Sequence, residues 1–160
     1  MAIKKTSKKE AFKTPAHLAA LENLGGWLIK SEPFKYSWQQ FIHDKYTHWD
    51  GVRNYAARNF LKEMKVGDQL FFYHSNEQLA IVGIAMVVKT YYQDPTTTDT
   101  NWVVVDVAPV RELIKPIPLS VMKATPALVN MKLLTIGRLS VSPVTTSEWK
   151  AILQLEKKDN

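Results

Sequence analysis

The sequence predicts a single α+β domain in which short, mixed strands curl into a small barrel or strongly bent sheet. Three observations predict it. At least five runs alternate apolar and polar residues or run apolar at strand length, and about three segments carry helical spacing behind a capping residue. All of them fall within about 134 residues (160 minus 26), the size of one domain. Gly83 sits in the middle of the apolar run 80–89, where a strand glycine marks a bulge, a barrel corner or the close approach of another group.

Taken in order, residues 1–26 form a basic extension ahead of the domain, expected to be disordered. Within it, Leu18, Leu21 and Leu24 could form a short helix over 17–24, stopped by Gly25 and Gly26. Residues 27–32 alternate as a strand, with Trp27, Ile29 and Ser31 on one face, until Pro33. A hydroxyl on that face needs a partner, from the protein or from a ligand. Ser37 and Gln40 have capping-box spacing, and Trp38, Phe41 and Ile42 then form the apolar stripe of a packing helix. Asp50-Gly51 is a turn, and Asn54 is an N-cap for a helix through Tyr55, Phe60, Leu61 and Met64. A turn at 65–68 leads to strands over 69–75, 80–89 and 102–110. Pro116, Pro118 and Pro126 make 115–131 irregular, with short helices around 119–123 and 127–131. Residues 139–142 alternate again up to Pro143, and Thr145 with Glu148 begins a C-terminal helix carrying Trp149, Ile152 and Leu153. The domain is expected to span 27–155, with 156–160 as a tail.

Composition narrows the chemistry. The net charge is +6, of which residues 1–26 carry +3 through five lysines against Glu10 and Glu22. A basic arm on a mildly basic body suits nucleic acid, although most basic tails are simply solvated. There is no cysteine, so disulfides, zinc-thiolate sites and thiol nucleophiles are excluded. No apolar run reaches the roughly 18 residues a membrane helix needs, and no secretory core opens the chain. The expectation is therefore a cytoplasmic protein, nuclear in a eukaryotic source, with no membrane partner. His17, His43, His48 and His74 show no metal-ligand spacing, and no Walker loop, dinucleotide fingerprint or nucleophile elbow occurs. No metal, cofactor or catalytic residue is expected. Glu32, Asp50 and Asp68 could converge as an acid–base set, but aspartates in turns commonly serve their own backbone.

The stretch 49–59 is the richest in recognition chemistry. It holds two of the four arginines, Arg53 and Arg58, with Trp49, Tyr55, Asn54 and Asn59. A helix start flanked by guanidinium groups and rings suits a planar, anionic ligand such as a nucleotide. The same residues also suit a capped amphipathic helix with surface arginines. Trp49 and Tyr73 stand beside polar residues, and Tyr73 and Ser75 alternate onto one strand face with His74 opposite. Such rings can stack a base, or can be core rings with a satisfied polar tip.

Several motifs then occur in register. Trp27-Leu28-Ile29-Lys30-Ser31-Glu32-Pro33, Trp49-Asp50-Gly51-Val52-Arg53-Asn54-Tyr55, Ala57-Arg58-Asn59, Val66-Gly67-Asp68, Phe72-Tyr73-His74-Ser75, Arg138-Leu139-Ser140-Val141 and Glu148-Trp149 together resemble the EVE domain of the PUA-like group. The resemblance runs from Trp27 to about Leu153. It implies a small, strongly curled mixed β-barrel flanked by short helices, related to YTH and ASCH domains. It also implies a non-catalytic pocket holding a flipped, modified nucleobase of DNA or RNA. Carried onto matching positions, the base pocket involves Ser31, Trp49, Asn54, Tyr73 and Ser75, with Leu139 and Ser140 at its edge. Lys30, Arg53 and Arg58 are then the candidates for phosphates, and a monomer is expected. The alternatives are a hydrolase of modified nucleosides, as in some ASCH-like domains, and an interaction module without a base pocket.

Overall fold

In a computed structural model, which describes residues 15–158, one six-stranded mixed sheet organises the chain. Its elements are α1 (Pro15–Ala20), β1 (Leu24–Ser31), α2 (Trp38–Asp44), β2 (Thr47–His48), α3 (Tyr55–Glu63) and β3 (Gln69–His74). They continue with β4 (Ala80–Gln93), β5 (Val103–Pro118), α4 (Leu119–Lys123), a 3₁₀ turn (Pro126–Leu128), α5 (Lys132–Thr135), β6 (Val141–Thr145) and α6 (Thr146–Lys157). The strand order is β2-β5-β4-β3-β1-β6, with β1 and β3 parallel and the other pairs antiparallel.

The α+β class stands, but the sheet is open. Among the described residues no pairing joins β2 to β6, so the barrel expected from the sequence is not closed by strands. The reason is physical: β2 offers only two residues to pair, and α3 covers the side where closure would occur. Ala57, Phe60 and Leu61 of α3 are buried in the same core as Val103, Val105, Leu139 and Val141. The bend itself comes from β4 and β5, whose pairing shifts register four times.

Strand alternation divides the interior into two cores. Trp27 and Ile29 of β1 join Leu70 and Phe72 of β3 beneath α2 and α3. Leu28 and Phe71 face the other way, toward Trp149 and Ile152 of α6. Gly83 of β4 does what a strand glycine can do. A Cβ there would lie 2.4 Å from Cη2 of Trp38, a ring only 2% exposed. Gly83→Ala is therefore expected to cost about 1–3 kcal/mol through overpacking. Urea denaturation measures it, and an unchanged midpoint would mean that the indole does not rest on this backbone.

Several boundaries differ from those expected. Residues 15–26 are not a disordered extension: α1 packs on the first core through Ala20, and His17 stacks on Phe60 at 5.1 Å. The lysine-rich start, residues 1–14, lies outside the described residues. Gly25 and Gly26 belong to β1, and the positive φ after α1 falls instead on Asn23, at 55°. Gly26 is required because a Cβ would meet the Trp149 ring at 2.5 Å. β5 runs to Pro118, well past 110, since its bulges absorb residues that cannot donate to a ladder. Pro143 lies inside β6, an edge strand where a missing N–H is tolerated. The chain from 156 is no tail at its start: Glu156 is 2% exposed and accepts two bonds from Arg111, each 2.8 Å.

The three expected caps are present. Ser37 accepts from the Gln40 N–H, although the Gln40 side chain turns to Asp44 and leaves the box half made. Asn54 accepts from the Ala57 N–H at 3.0 Å. Thr145 and Glu148 complete a full capping box.

Candidate functional site

The parallel β1/β3 pair ends at Ser31 and His74, and the chain leaving β1 folds back over the sheet. Beside that end lies a cleft of about 390 Å³. One wall is Lys30, Ser31, Glu32, Lys35 and Tyr36; the other is Thr47 and His48 of β2, followed by Trp49 and Asp50. The Trp49 N–H continues the β2 pairing by donating to Val105 at 2.8 Å. Its ring meets Phe72 and Tyr36 edge-on, at 5.6 and 6.1 Å, and is thereby held in one orientation. The indole Nε1–H makes no hydrogen bond among the described residues.

The polar groups around this ring are mostly spoken for on one side only. Ser31 Oγ donates to the Tyr36 carbonyl at 2.5 Å, so the protein supplies the partner its position demanded. Tyr36 donates to Asp44 at 2.9 Å. Burial, followed by that bond to Asp44, pushes the Tyr36 phenol up to about 12, so it stays a neutral donor. Glu32 Oε2 is buried without a hydrogen bond, only 3.1 Å from the Lys35 ammonium. Asp50 lies 3.6 Å from His48. The cleft lining thus holds two carboxylates, Glu32 and Asp50, together with the Trp49 indole.

A second cleft, of about 430 Å³, opens beyond Lys30. The Lys30 ammonium donates to the Gly137 carbonyl at 2.8 Å and its N–H to Ser140 at 3.0 Å, which ties the two rims together. Burial lowers the Lys30 pKa. Asn54, Asn59 and Phe60 of α3, His17 of α1, and Lys132, Ile136, Arg138 and Leu139 line this second cleft.

The site residues read from the sequence are thus distributed rather than gathered. Ser31, Trp49 and Lys30 share the first cleft, whereas Asn54 and Leu139 line the second. Tyr73 lines neither. Its register partner is Lys30, one residue off Ser31, so alternation turns its ring into the α6-side core with Ile81 and Ile117. It is 3% exposed, and burial raises its phenol pKa. The Ser75 N–H donates to the Ser31 carbonyl at 2.9 Å, and the Ser140 carbonyl receives the Lys30 N–H; both are backbone roles.

The two arginines are engaged within the fold. Arg53 pairs with buried Asp94 at 2.9 Å and lies over Trp102. Arg58 is 2% exposed, donates twice to Asn59 Oδ1 and covers the Tyr55 ring, so it cannot meet a phosphate as it stands. Of the three carboxylates weighed as acid–base groups, Asp68 is structural: it accepts from Trp27 Nε1 and from the Lys65 N–H. Glu32 and Asp50 do converge in the first cleft.

Sequence reasoning missed Tyr36, Thr47 and His48 in the first cleft and Lys132 and Arg138 in the second. Arg138 stood inside a quoted motif, and its unbalanced charge was the available signal. His74 is on the Phe72 face, opposite to Tyr73, where Nε2 accepts the Trp38 N–H at 3.2 Å and Nδ1 meets Gln78 at 3.0 Å. Burial lowers its pKa, and the ring is a satisfied strut.

An open mixed sheet with short flanking helices defines an α+β domain of the PUA-like group. The chain belongs to the EVE domain family, whose model matches residues 26–155. It is 38% identical over 193 aligned residues to thymocyte nuclear protein 1 of Homo sapiens, covering 99% of this chain and 86% of that one. A crystal structure of a protein from Agrobacterium tumefaciens is 44% identical with a TM-score of 0.80, covering 84% of this chain and 94% of the other. The human THYN1 protein in complex with 5-methylcytosine containing DNA is 36% identical with a TM-score of 0.73, covering 84% and 99%. Among the described residues, no helix is long and apolar enough to cross a membrane and no group of side chains could hold a metal ion.

Proposed function

We propose that this protein is a non-catalytic reader of DNA that holds a modified base in the cleft beside Trp49. The observation that carries it is the ring of Trp49, held edge-on by Phe72 and Tyr36, in the lining of a cleft of about 390 Å³ that also includes Glu32 and Asp50. That volume is in the range of small-ligand sites. A flipped cytosine offers an exocyclic amine to a carboxylate and ring acceptors to an N–H, which matches the groups left open here. Unstacking a base costs a few kcal/mol, which these contacts and the desolvated ring must offset. The human relative in complex with 5-methylcytosine containing DNA supports DNA as the ligand class.

The test is a titration of duplexes that differ only at one base, carrying 5-methylcytosine, cytosine or thymine, at low and moderate salt. The modified duplex should bind tightest at both salts. Equal affinities throughout would remove the base pocket and leave only charge. A second reading, a hydrolase of modified nucleosides, is favoured by one observation: Glu32, Asp50 and His48 share the cleft. Product analysis over a nucleoside panel separates the two, since turnover lost in Asp50→Ala would replace binding with catalysis.

A further inference from the structure

The second cleft holds two asparagines whose amides are oriented by groups that can only donate. Asn54 Oδ1 accepts the Ala57 N–H at 3.0 Å, and Asn59 Oδ1 accepts Nε and Nη2 of Arg58 at 3.1 and 2.8 Å. A backbone N–H and a guanidinium have no acceptor, so in both amides the oxygen must face the protein. Asn59 Oδ1 is thereby filled and Asn54 Oδ1 half filled, and both NH₂ groups make no hydrogen bond among the described residues. Lys132 and Arg138 stand on the same cleft, and neither makes an ion pair or side-chain hydrogen bond among the described residues. These four polar groups therefore offer mainly donors, beside His17 and among the apolar Ala20, Ala56, Phe60, Ile136 and Leu139.

The first cleft differs in carrying two carboxylates, Glu32 and Asp50, beside Lys30, Lys35 and His48. A ligand for the second cleft must bring acceptors and negative charge together with an apolar body. The sugar-phosphate of a nucleotide has that composition, and its phosphate oxygens take N–H donors without competition from any carboxylate on this rim.

We infer that the second cleft is a sugar-phosphate subsite for the nucleotide next to the recognised base, with Asn59, Asn54, Arg138 and Lys132 as its donors. It rests on the nucleic-acid reading above and adds residues to it. The Lys30–Gly137 bond makes the two clefts neighbours, so one strand can occupy both. Arg58 is then a positioning residue: buried against Asn59, it holds the amide with its NH₂ turned outward.

Asn59→Asp tests this sharply. A carboxylate still accepts from Arg58, so the fold is preserved, but the donor becomes a charged acceptor. On the full chain, duplex oligonucleotides with and without 5-methylcytosine are titrated by fluorescence anisotropy over a salt series. Asn59→Asp should weaken both about tenfold and equally, because a phosphate contact carries no base information. Arg138→Gln, an exposed change, should lower the salt slope by about one and leave the preference between the two oligonucleotides intact. The side-chain amide resonances of Asn54 and Asn59 should shift on adding the unmodified oligonucleotide. Unchanged affinity and slope in both variants would overturn the subsite even where the base preference persists. Loss of the preference alone, with the slope unchanged, would do the same by making this cleft part of base reading. A wild-type protein that binds both oligonucleotides equally and still loses affinity in both variants keeps the subsite and removes the base pocket. No binding of any oligonucleotide removes both.

Discussion

Trp49→Ala is expected to abolish the preference for a modified base and to lower stability by about 3–5 kcal/mol, the usual cost of deleting a buried ring. The two effects have one origin. The indole is 8% exposed, packs edge-on against Phe72 and Tyr36, and lines the cleft. Removing it leaves a void between those rings and takes away the donor. Trp49→Phe separates the two consequences. It keeps most of the packing, so stability should fall by less than about 1.5 kcal/mol. It loses the N–H, so affinity for the modified duplex should drop by about tenfold, one ordinary hydrogen bond. Urea denaturation and anisotropy on the same two variants measure this. Full binding by a well-folded Trp49→Phe would mean the indole is only a core ring.

Asp94→Ala is expected to be comparably damaging, at about 3–5 kcal/mol, because it strands a buried network. The carboxylate is 0% exposed and accepts from Thr96 twice, at 2.7 and 2.5 Å, from the Gly51 N–H at 3.2 Å and from Arg53 at 2.9 Å. Gly51 and Arg53 lie between the residues of the two clefts, so Asp94 sets the loop that separates Trp49 from Asn54. Burial alone would raise its pKa; the bonds from Thr96, Arg53 and Gly51 outweigh burial and bring it down to about 2 from 3.8. A carboxylate held below its unfolded value contributes stability that is complete above about pH 4 and is lost as pH falls through about 2. By linkage this amounts to about 2 kcal/mol. Asp44 and Glu156 are also held low, Asp44 by Gln40 and Tyr36 and Glu156 by Arg111, so total acid sensitivity is shared. The difference between wild type and Asp94→Asn across pH 2–6 isolates Asp94. Parallel curves would refute its role.

Much of the fold was legible because its signals are local. Ser37, Asn54 and Thr145 cap the helices that follow them, and each bond spans three residues. The strand at 27–31 and the placement of Trp27, Ile29 and Ser31 on one face follow from alternation alone. Gly83 marked a bulge, a barrel corner or a close approach, and the structure shows both a register shift beside it and the Trp38 ring against it. The length of β5 was not legible, because prolines in a run of strand residues read as an end unless bulges receive them.

The candidate site was legible in its residue types and less so in its grouping. Ser31 and Trp49 share a cleft, but Tyr73 belongs to another core because register with β1 turns it over. Arg53 and Arg58 carried the right charge, yet Asp94 and Asn59 already hold them. The partner of Arg53 is 41 residues away, and nothing near it in the chain announces the pairing.

By itself, then, the amino-acid sequence determined the family, through motifs in register, and the α+β class and the caps, through periodicity and residues within a few positions of one another. Only the tertiary structure decided that the sheet stays open under α3, that the recognition residues divide between two clefts, and that Asn54 both caps and faces a cleft. The physical reason is that a cap or a stripe is made by neighbours in the chain. A cleft is made by whatever strand register and buried charge pairs bring together from far apart.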